Sequence, residues 1–554
     1  MTGPLKKADL TALASKMATS GGRFDTAEMK AWTAKAKALT ADHGRATPEL
    51  QDTISEVEKS FSDKFTRGAK PVFQSFVAEV GAKMEGPIEM PSNDTPIWLK
   101  GVHPLANYQS NPKLPREADI VIVGTGLTGA SAAYHISKAA EKRGLKVVVL
   151  DAADPGTGAS GRNGGNFELI PENFYGSYGT YDGLEEERFK FLKASYPDVS
   201  DDALRAQAKR IAETVLSFGH KNANRMARTI EKEKIDCDYS PSGWLRTALN
   251  EREARAFEAE AKLAGKAGAK VEILSGPEIE ARYKFPAKHA GRLVTANGNY
   301  HPFKLVNGEL QKALDRGVEL YTRTPVKRVR SLEDDVHMVE TPKGTIRAKR
   351  VIVATNAFTS QIFPELADVK YFRSQISSYA HVENDLKGIT VTAKDGDIYA
   401  NFPKGEQYED AAKRARGTLI VGGGQDVEDV DPWKAAPSRE VFALSQSEIA
   451  SHFPAAAQQP ATAAWAGPMA FVEGKHGMRL PVLGPLGDGA KSGVFVAIWC
   501  NGYGGTGCHL AGAGAASWAL TGRVPKEMPA DVFGPARLFT DTPQFAVPAA
   551  SEKK

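Results

Sequence analysis

The stretch Ile120-Val121-Ile122-Val123-Gly124-Thr125-Gly126-Leu127-Thr128-Gly129 leaves this chain few options. Four β-branched residues in a row read as a buried strand. GxGxxG follows at once, and a helix through Ala132, Ala133, His135 and Ile136 comes next. Gly124 permits the tight turn, Gly126 lets backbone approach a pyrophosphate, and Gly129 lets helix and strand close together. Leu127 and Thr128 open the helix, whose unpaired amides and positive dipole end suit phosphate. A second strand, Val147-Val148-Val149-Leu150, ends at Asp151, 22 residues after Gly129. A carboxylate there accepts the ribose hydroxyls of an adenosine. The whole is a dinucleotide-binding unit, and alone it does not separate one dinucleotide from another.

The chain has 554 residues, past the size at which single cores divide, so two or more domains are expected. Its net charge of +4 is small for that length, and no basic block dominates any stretch. A nucleic-acid partner is therefore not expected. Cys237, Cys500 and Cys508 are the three cysteines and form no CxxC pair. A reducing compartment fits better than a disulfide framework, and no metal-ligand cluster is seen. The first residues carry no apolar signal-peptide core, and no run suits a membrane span, so a cytoplasmic protein is expected.

Residues 1–90 read as helices. Leu10, Leu13 and Met17 recur at helical spacing, as do Met29, Trp32, Ala36 and Leu39 behind a capping box from Asp25 to Glu28. They hold no catalytic constellation and read as a cap, a homo-oligomerisation element or a partner-docking module. Pro87, Pro91, Pro96, Pro104, Pro112 and Pro115 mark the linker that follows.

After Asp151 comes Gly156-Thr157-Gly158-Ala159-Ser160-Gly161-Arg162-Asn163-Gly164-Gly165-Asn166. A glycine-dense loop so close to the second strand suits a cofactor laid across the domain. Later come Gly298-Asn299-Tyr300-His301-Pro302, Pro325-Val326, and Val351-Ile352-Val353-Ala354-Thr355-Asn356-Ala357. The last glycine-rich run is Asn501-Gly502-Tyr503-Gly504-Gly505-Thr506-Gly507, after the strand Val494–Ile498. Across residues 95–525 the sequence resembles the D-amino-acid oxidase superfamily of FAD-dependent flavoproteins. The Ala-Ser-Gly-Arg-Asn-Gly-Gly run is most similar to its γ-glutamylputrescine oxidase-like branch.

The resemblance implies an α/β fold: a Rossmann-type FAD-binding domain with an interleaved α+β substrate domain, preceded by the helical extension. The implied division is helical extension 1–90, linker 91–117, FAD-binding 118–200, substrate 201–297, FAD-binding 298–365, substrate 366–474, FAD-binding 475–525 and tail 526–554. It also implies cofactor contacts from Ser160 to Gly165, from Val326 backbone to adenine, from Thr355 and Asn356, and from Gly502 through Gly507. In the last turn the family has a Gly-His-Gly core, and Tyr503 replaces the His. In the monomeric sarcosine oxidase branch a cysteine links the flavin covalently. The equivalent stretch here, His476-Gly477-Met478-Arg479-Leu480-Pro481, has none, so non-covalent FAD is expected.

The implied chemistry is oxidation of an amine or amino acid to an imine by hydride transfer to the flavin. It needs no Ser/His/Asp or paired-carboxylate signature. Arg479 is the first candidate for a substrate carboxylate; Arg373 and Tyr379 are further substrate-contact candidates. His301 reads as a turn histidine. Two other readings stay open here: an NAD-dependent dehydrogenase, and a flavin-binding subunit or scaffold of a larger complex.

Overall fold

The computed structural model describes residues 90–167 and 181–545, apart from short stretches at 249–250, 267–269, 333–335, 394–397, 424–426, 429–430, 458, 475 and 488–492. The helices expected over 1–90 lie outside the described residues, save Met90.

In chain order, the elements that build the site are β1 (Glu117–Val123), α1 (Leu127–Arg143), β2 (Val147–Leu150), α2 (Tyr181–Ser195), α3 (Asp201–Glu233), α4 (Pro302–Leu314), β3 (Glu319–Tyr321), β4 (Gly344–Val353), β5 (Val369–Glu383), β6 (Ala415–Gly423), β7 (Ala463–Val472), β8 (Val494–Ile498) and α5 (Cys508–Thr521). One sheet runs β8-β4-β1-β2-β3, all parallel. Val482–Pro485 adds an antiparallel edge beside β8, and a hairpin of Arg328–Ser331 and His337–Thr341 extends β4.

Both faces of β1 are covered, which is why it reads as a continuous apolar run. Ile120 and Ile122 share one core with Ala130, Ala133 and Ile136 of α1 and Leu510 and Ala511 of α5. Val121 and Val123 point the other way, to a core with Ile346, Tyr371 and Val472. α1 stops at Gly144, whose φ of 64° is the left-handed cap, with Lys142 and Arg143 in the last turn.

The second sheet has ten strands, centred on the 15-residue β5. β7 pairs with β5 from Val369↔Val472 to Ser378↔Ala463, and β6 takes the other side. Trp244–Thr247, Val271–Leu274 and Gly291–Val294 belong to this sheet. The chain thus enters the first sheet, leaves for the second, returns, and does so again.

Helix α3, assigned by the sequence to the substrate portion, keeps company with the first sheet. Its Leu204, Ala208, Ile211, Val215 and Phe218 join the core containing Ile120 and Ile122. Ser200 caps it by accepting from the Ala203 amide at 3.4 Å, and Asp201 and Asp202 favour its positive end. The segment read as a tail is also anchored as far as it is described. Val532 and Phe533 are buried. The fully buried Arg537 donates to the carbonyls of Leu480 at 2.8 Å, Pro481 at 3.0 Å and Gly534 at 3.0 Å.

Arg537→Met strips three buried carbonyls of their donor. A loss of about 2–4 kcal/mol in unfolding free energy is expected. Urea unfolding checks it: an unchanged midpoint would show that the segment is only laid against the body.

Candidate functional site

The first glycine turn brings three strands to one point. The Gly124 amide donates to Leu150 at 2.8 Å, and the Ala354 amide donates to Val123 at 2.8 Å. Gly124 has φ +101°, and a Cβ on it would sit 2.6 Å from the Ala354 oxygen. Only glycine satisfies both conditions. A Cβ on Gly126 would stand 2.9 Å from Ser160 Oγ. That hydroxyl accepts from the Leu127 amide at 2.9 Å, tying the loop after β2 to the start of α1.

Asp151 is drawn into the same knot. One carboxylate oxygen accepts from the Thr125 amide at 2.7 Å and from its hydroxyl; the other accepts from Ala153 N at 2.8 Å. Burial pushes the carboxyl up, while the hydrogen bonds from Thr125 and Ala153 pull it down. The residue expected to meet a ribose therefore also fixes the turn, and it lines the cavity described below.

The Ser160–Gly165 loop is pinned by two indoles. Trp465 Nε1 donates to the Arg162 carbonyl at 3.0 Å, and Trp98 Nε1 donates to the Asn163 carbonyl at 2.6 Å. Asn163 closes the loop with its side chain, donating to Ser160 O at 3.0 Å and accepting from Gly165 N at 2.7 Å. Arg162 donates from Nε to Thr157 O and from Nη1 to Ala466 O, both at 3.2 Å. Its guanidinium braces the loop against β7 of the second sheet. Gly164 faces the Tyr399 ring so closely that a Cβ would overlap it.

The late turn leaves β8 and enters α5. Asn501, at φ 42°, accepts from Val472 N at 2.9 Å, so β7 holds this turn too. Thr506 Oγ1 accepts from Trp499 Nε1 at 3.0 Å and donates to Tyr503 O at 2.8 Å. Asn222 of α3 donates to Gly505 O and accepts from Leu510 N, each at 2.9 Å. The sequence reading missed Asn222. An asparagine midway along a charged helix carries no signal until the helix is seen to be buried there.

These pieces bound one cavity of about 1430 Å³. Gly124, Gly126, Leu127, Thr128, Asp151, Ser160, Arg162, Asn163, Gly164, Val326, Thr355, Asn356 and Gly502 through Gly505 line it. Gly129, Gly161, Gly165, Thr506 and Gly507, also expected to meet the cofactor, are not in the lining; the four glycines pack against Gly124 O, Gly156 O, Tyr300 O and the Trp499 ring. Small-molecule sites are usually about 300–1,000 Å³, so the space suits a dinucleotide together with a substrate. Cys500 and Cys508 also line it; burial raises the Cys508 thiol to about 12 and keeps it protonated.

Arg479 enters the cavity from a turn in which Met478 and Arg479 both have left-handed φ, 51° and 49°. Its guanidinium lies 5.0 Å from the Phe471 ring centre and 3.4 Å from Glu473. Burial lowers its pKa to about 10, which still leaves it charged at neutral pH. Arg373 and Tyr379 are not in the lining. Phe372, Ser374 and Ile376 of β5 face the cavity, and the two-residue alternation of a strand turns Arg373 away. Arg373 donates instead to Ala436 O at 2.6 Å. Tyr379 is fully buried in the core of the second sheet, with the Gln446 amide on its hydroxyl. Burial pushes that phenol up to about 12. Sequence reasoning also missed Glu187, Arg188 and Phe191 of α2, Phe471 of β7 and Glu473 just past its end, all in the lining.

A parallel sheet with a glycine turn at the carboxyl ends of its strands, and a second sheet closing a deep cavity over it, defines a dinucleotide-dependent enzyme. The family model for FAD-dependent oxidoreductases (DAO) matches residues 119–518. The chain belongs to that family, and it is an FAD-dependent oxidoreductase. That excludes the NAD-dependent reading. It is 30% identical over 251 residues to the γ-glutamylputrescine oxidoreductase of Escherichia coli (strain K12), covering 45% of this chain and 51% of that one. It is 25% identical over 398 residues to a probable oxidoreductase of Rhizobium meliloti (strain 1021), covering 70% and 82%. The match thus spans about half the length of the first relative. Among solved structures, a glycine oxidase from Geobacillus kaustophilus shares the fold, with TM-score 0.56 and 18% identity over 76% of this chain and 98% of its own.

The residues present fit FAD: Gly124 and Gly126 open the backbone to a pyrophosphate, and the late turn closes the far end. Gly126→Val places a branched side chain against Ser160. FAD affinity is expected to fall at least about tenfold, or 1.4 kcal/mol. Titration of the apoprotein with FAD checks this, and wild-type affinity would move the pyrophosphate elsewhere.

Proposed function

We propose that this protein oxidises a C–N bond of an amine or amino acid to an imine, with Arg479 holding an acidic group of the substrate. The observation that carries the reading is a half-buried, charged guanidinium on an aromatic shelf in the wall of the cofactor cavity. Bound FAD supplies a two-electron acceptor for hydride from the carbon next to nitrogen. Thr125, Asp151, Val326 and the Ser160–Gly165 loop hold the adenosine and pyrophosphate portion. The Gly502–Gly505 turn and the start of α5 hold the flavin end, where a helix N-terminus favours negative charge. Phe372 and Phe471, whose ring centres lie 4.8 Å apart, exclude water beside Arg479. Ionic pairing to a planar group fixes orientation, which is most of what this chemistry asks of the protein.

A cytoplasmic location goes with this reading, and the three free cysteines speak for it. So does association, with a second copy or a partner, through the apolar helical repeats of residues 1–90.

Flavin reduction across an anaerobic panel of amines and amino acids tests the activity directly. Bleaching by an added amine without any partner protein is expected; none across the panel would favour a scaffold. FAD should be non-covalent, so acid precipitation should leave the yellow colour in the supernatant. Colour in the pellet would point to a link, with Cys500 the first residue to examine. Arg479→Met should keep its FAD and lose about 1.5–3 kcal/mol in the efficiency of reduction by a carboxylate-bearing amine. A carboxylate-free analogue should lose far less. Equal losses on both would make Arg479 structural.

A further inference from the structure

Arg479 sits on a turn that the chain does not adopt cheaply. Met478 and Arg479 have consecutive left-handed φ values, 51° and 49°. Residues with a Cβ keep such angles only where their surroundings over-determine them. From the inside, the Arg479 amide donates to Val472 O at 3.0 Å, the Leu480 amide donates to Gly477 O at 2.9 Å, and Arg188 of α2 donates to the Met478 carbonyl.

From the outside, one other piece of chain, Pro535–Phe545, holds the turn at both ends. Arg537 Nη2 donates to Leu480 O and Pro481 O and grips the far end. Four residues on, Asp541 accepts from His476 Nε2 at 2.9 Å and grips the near end. Tyr196, just past α2, packs against both His476 and Phe545, with ring centres 5.4 Å and 5.7 Å away. His476 is buried, whereas the Asp541 side chain is 80% exposed. A contact at the surface contributes little to the stability of the whole fold. It acts instead on the one buried histidine it touches, three residues before Arg479. A shift of about 1 Å in a group that orients a substrate is enough to impair it, so rigid support behind such a group matters.

We propose that Pro535–Phe545 is a strap that sets the Arg479 turn, with Asp541, acting through His476, a positioning residue that touches neither substrate nor cofactor. The strap lies beyond the residues matched by the family model. This rests on the reading of Arg479 given above.

The test uses the full-length, FAD-loaded protein and two readouts. One is deuterium exchange at the amides of positions 479 and 480. The other is affinity for propionate, read from flavin absorption without turnover. Asp541→Ala is expected to speed exchange and to weaken propionate, each about three- to fivefold, with FAD content and thermal midpoint unchanged. Asp541→Asn keeps an acceptor oxygen for His476 and should restore both to near wild type. In an Arg479→Met background, Asp541→Ala should still speed exchange but no longer weaken propionate, because the side chain it positions is gone. Wild-type exchange or wild-type propionate affinity in Asp541→Ala overturns the proposal. So does an undiminished loss of propionate affinity in the Arg479→Met background, which marks a general loosening of the cavity. If wild type binds no propionate, or Arg479→Met binds it as tightly as wild type, the Arg479 reading falls and this one with it. If Arg479→Met weakens propionate and Asp541→Ala does not, only the strap falls.

Discussion

At the carboxyl end of β1, the backbones of Gly124 and Ala354 approach so closely that no side chain fits between them. That approach places the first turn of α1, the end of β2 and the turn after β4 around one opening. The hydrogen bonds from Gly124 to Leu150 and from Ala354 to Val123 set its width. Asp151 then ties Thr125 into the same corner. Everything the cavity offers to a pyrophosphate follows from this convergence, and it is paid for by the left-handed φ that only glycine takes easily.

The second sheet is held to this corner by polar pegs as well as by the apolar core that Val121 and Val123 share with Tyr371 and Val472. Trp465 and Arg162 join β7 to the Ser160–Gly165 loop. Asn501 joins β7 to the late turn through Val472. Asn401 reaches the same loop, donating to Gly164 O at 3.0 Å and to Asn166 Oδ1 at 2.5 Å. Directional bonds of this kind fix the distance between the sheets to within a few tenths of an ångström. A cavity that must align a cofactor with a substrate benefits from such fixed spacing.

The glycine turns that shape the cavity were legible in the sequence because their constraints are local. β2 and β8 run over the residues read as strands, and β1 begins at Glu117, ahead of the apolar run Ile120–Val123. Glycines at the two turns declare themselves by spacing. Of the three residues expected to meet substrate, only Arg479 is in the cavity lining. Arg373 and Tyr379 lie on the right strand, but the choice of face depends on register, which the single β5 sequence does not state. Arg188 and Asn222 sit on helices whose burial comes from distant partners, so their roles have no local mark. α3 shows the same limit: its apolar stripe says that it is buried, not which sheet buries it.

The alternation of the chain between sheets has a consequence for the molecule's life history. The lining of the cavity begins at Val123 and ends at Cys508. A single cut anywhere between them leaves no fragment with all the walls. Assembly therefore demands contacts between residues far apart in sequence, which form slowly. Until the last strand is in place, the Gly124 turn and the Gly502–Gly505 turn do not bound one cavity. A ligand that binds only the assembled state adds its binding free energy to that state alone. Cofactor binding thus favours the completed path: a chain that stops short of Cys508 lacks part of the wall that encloses the cavity.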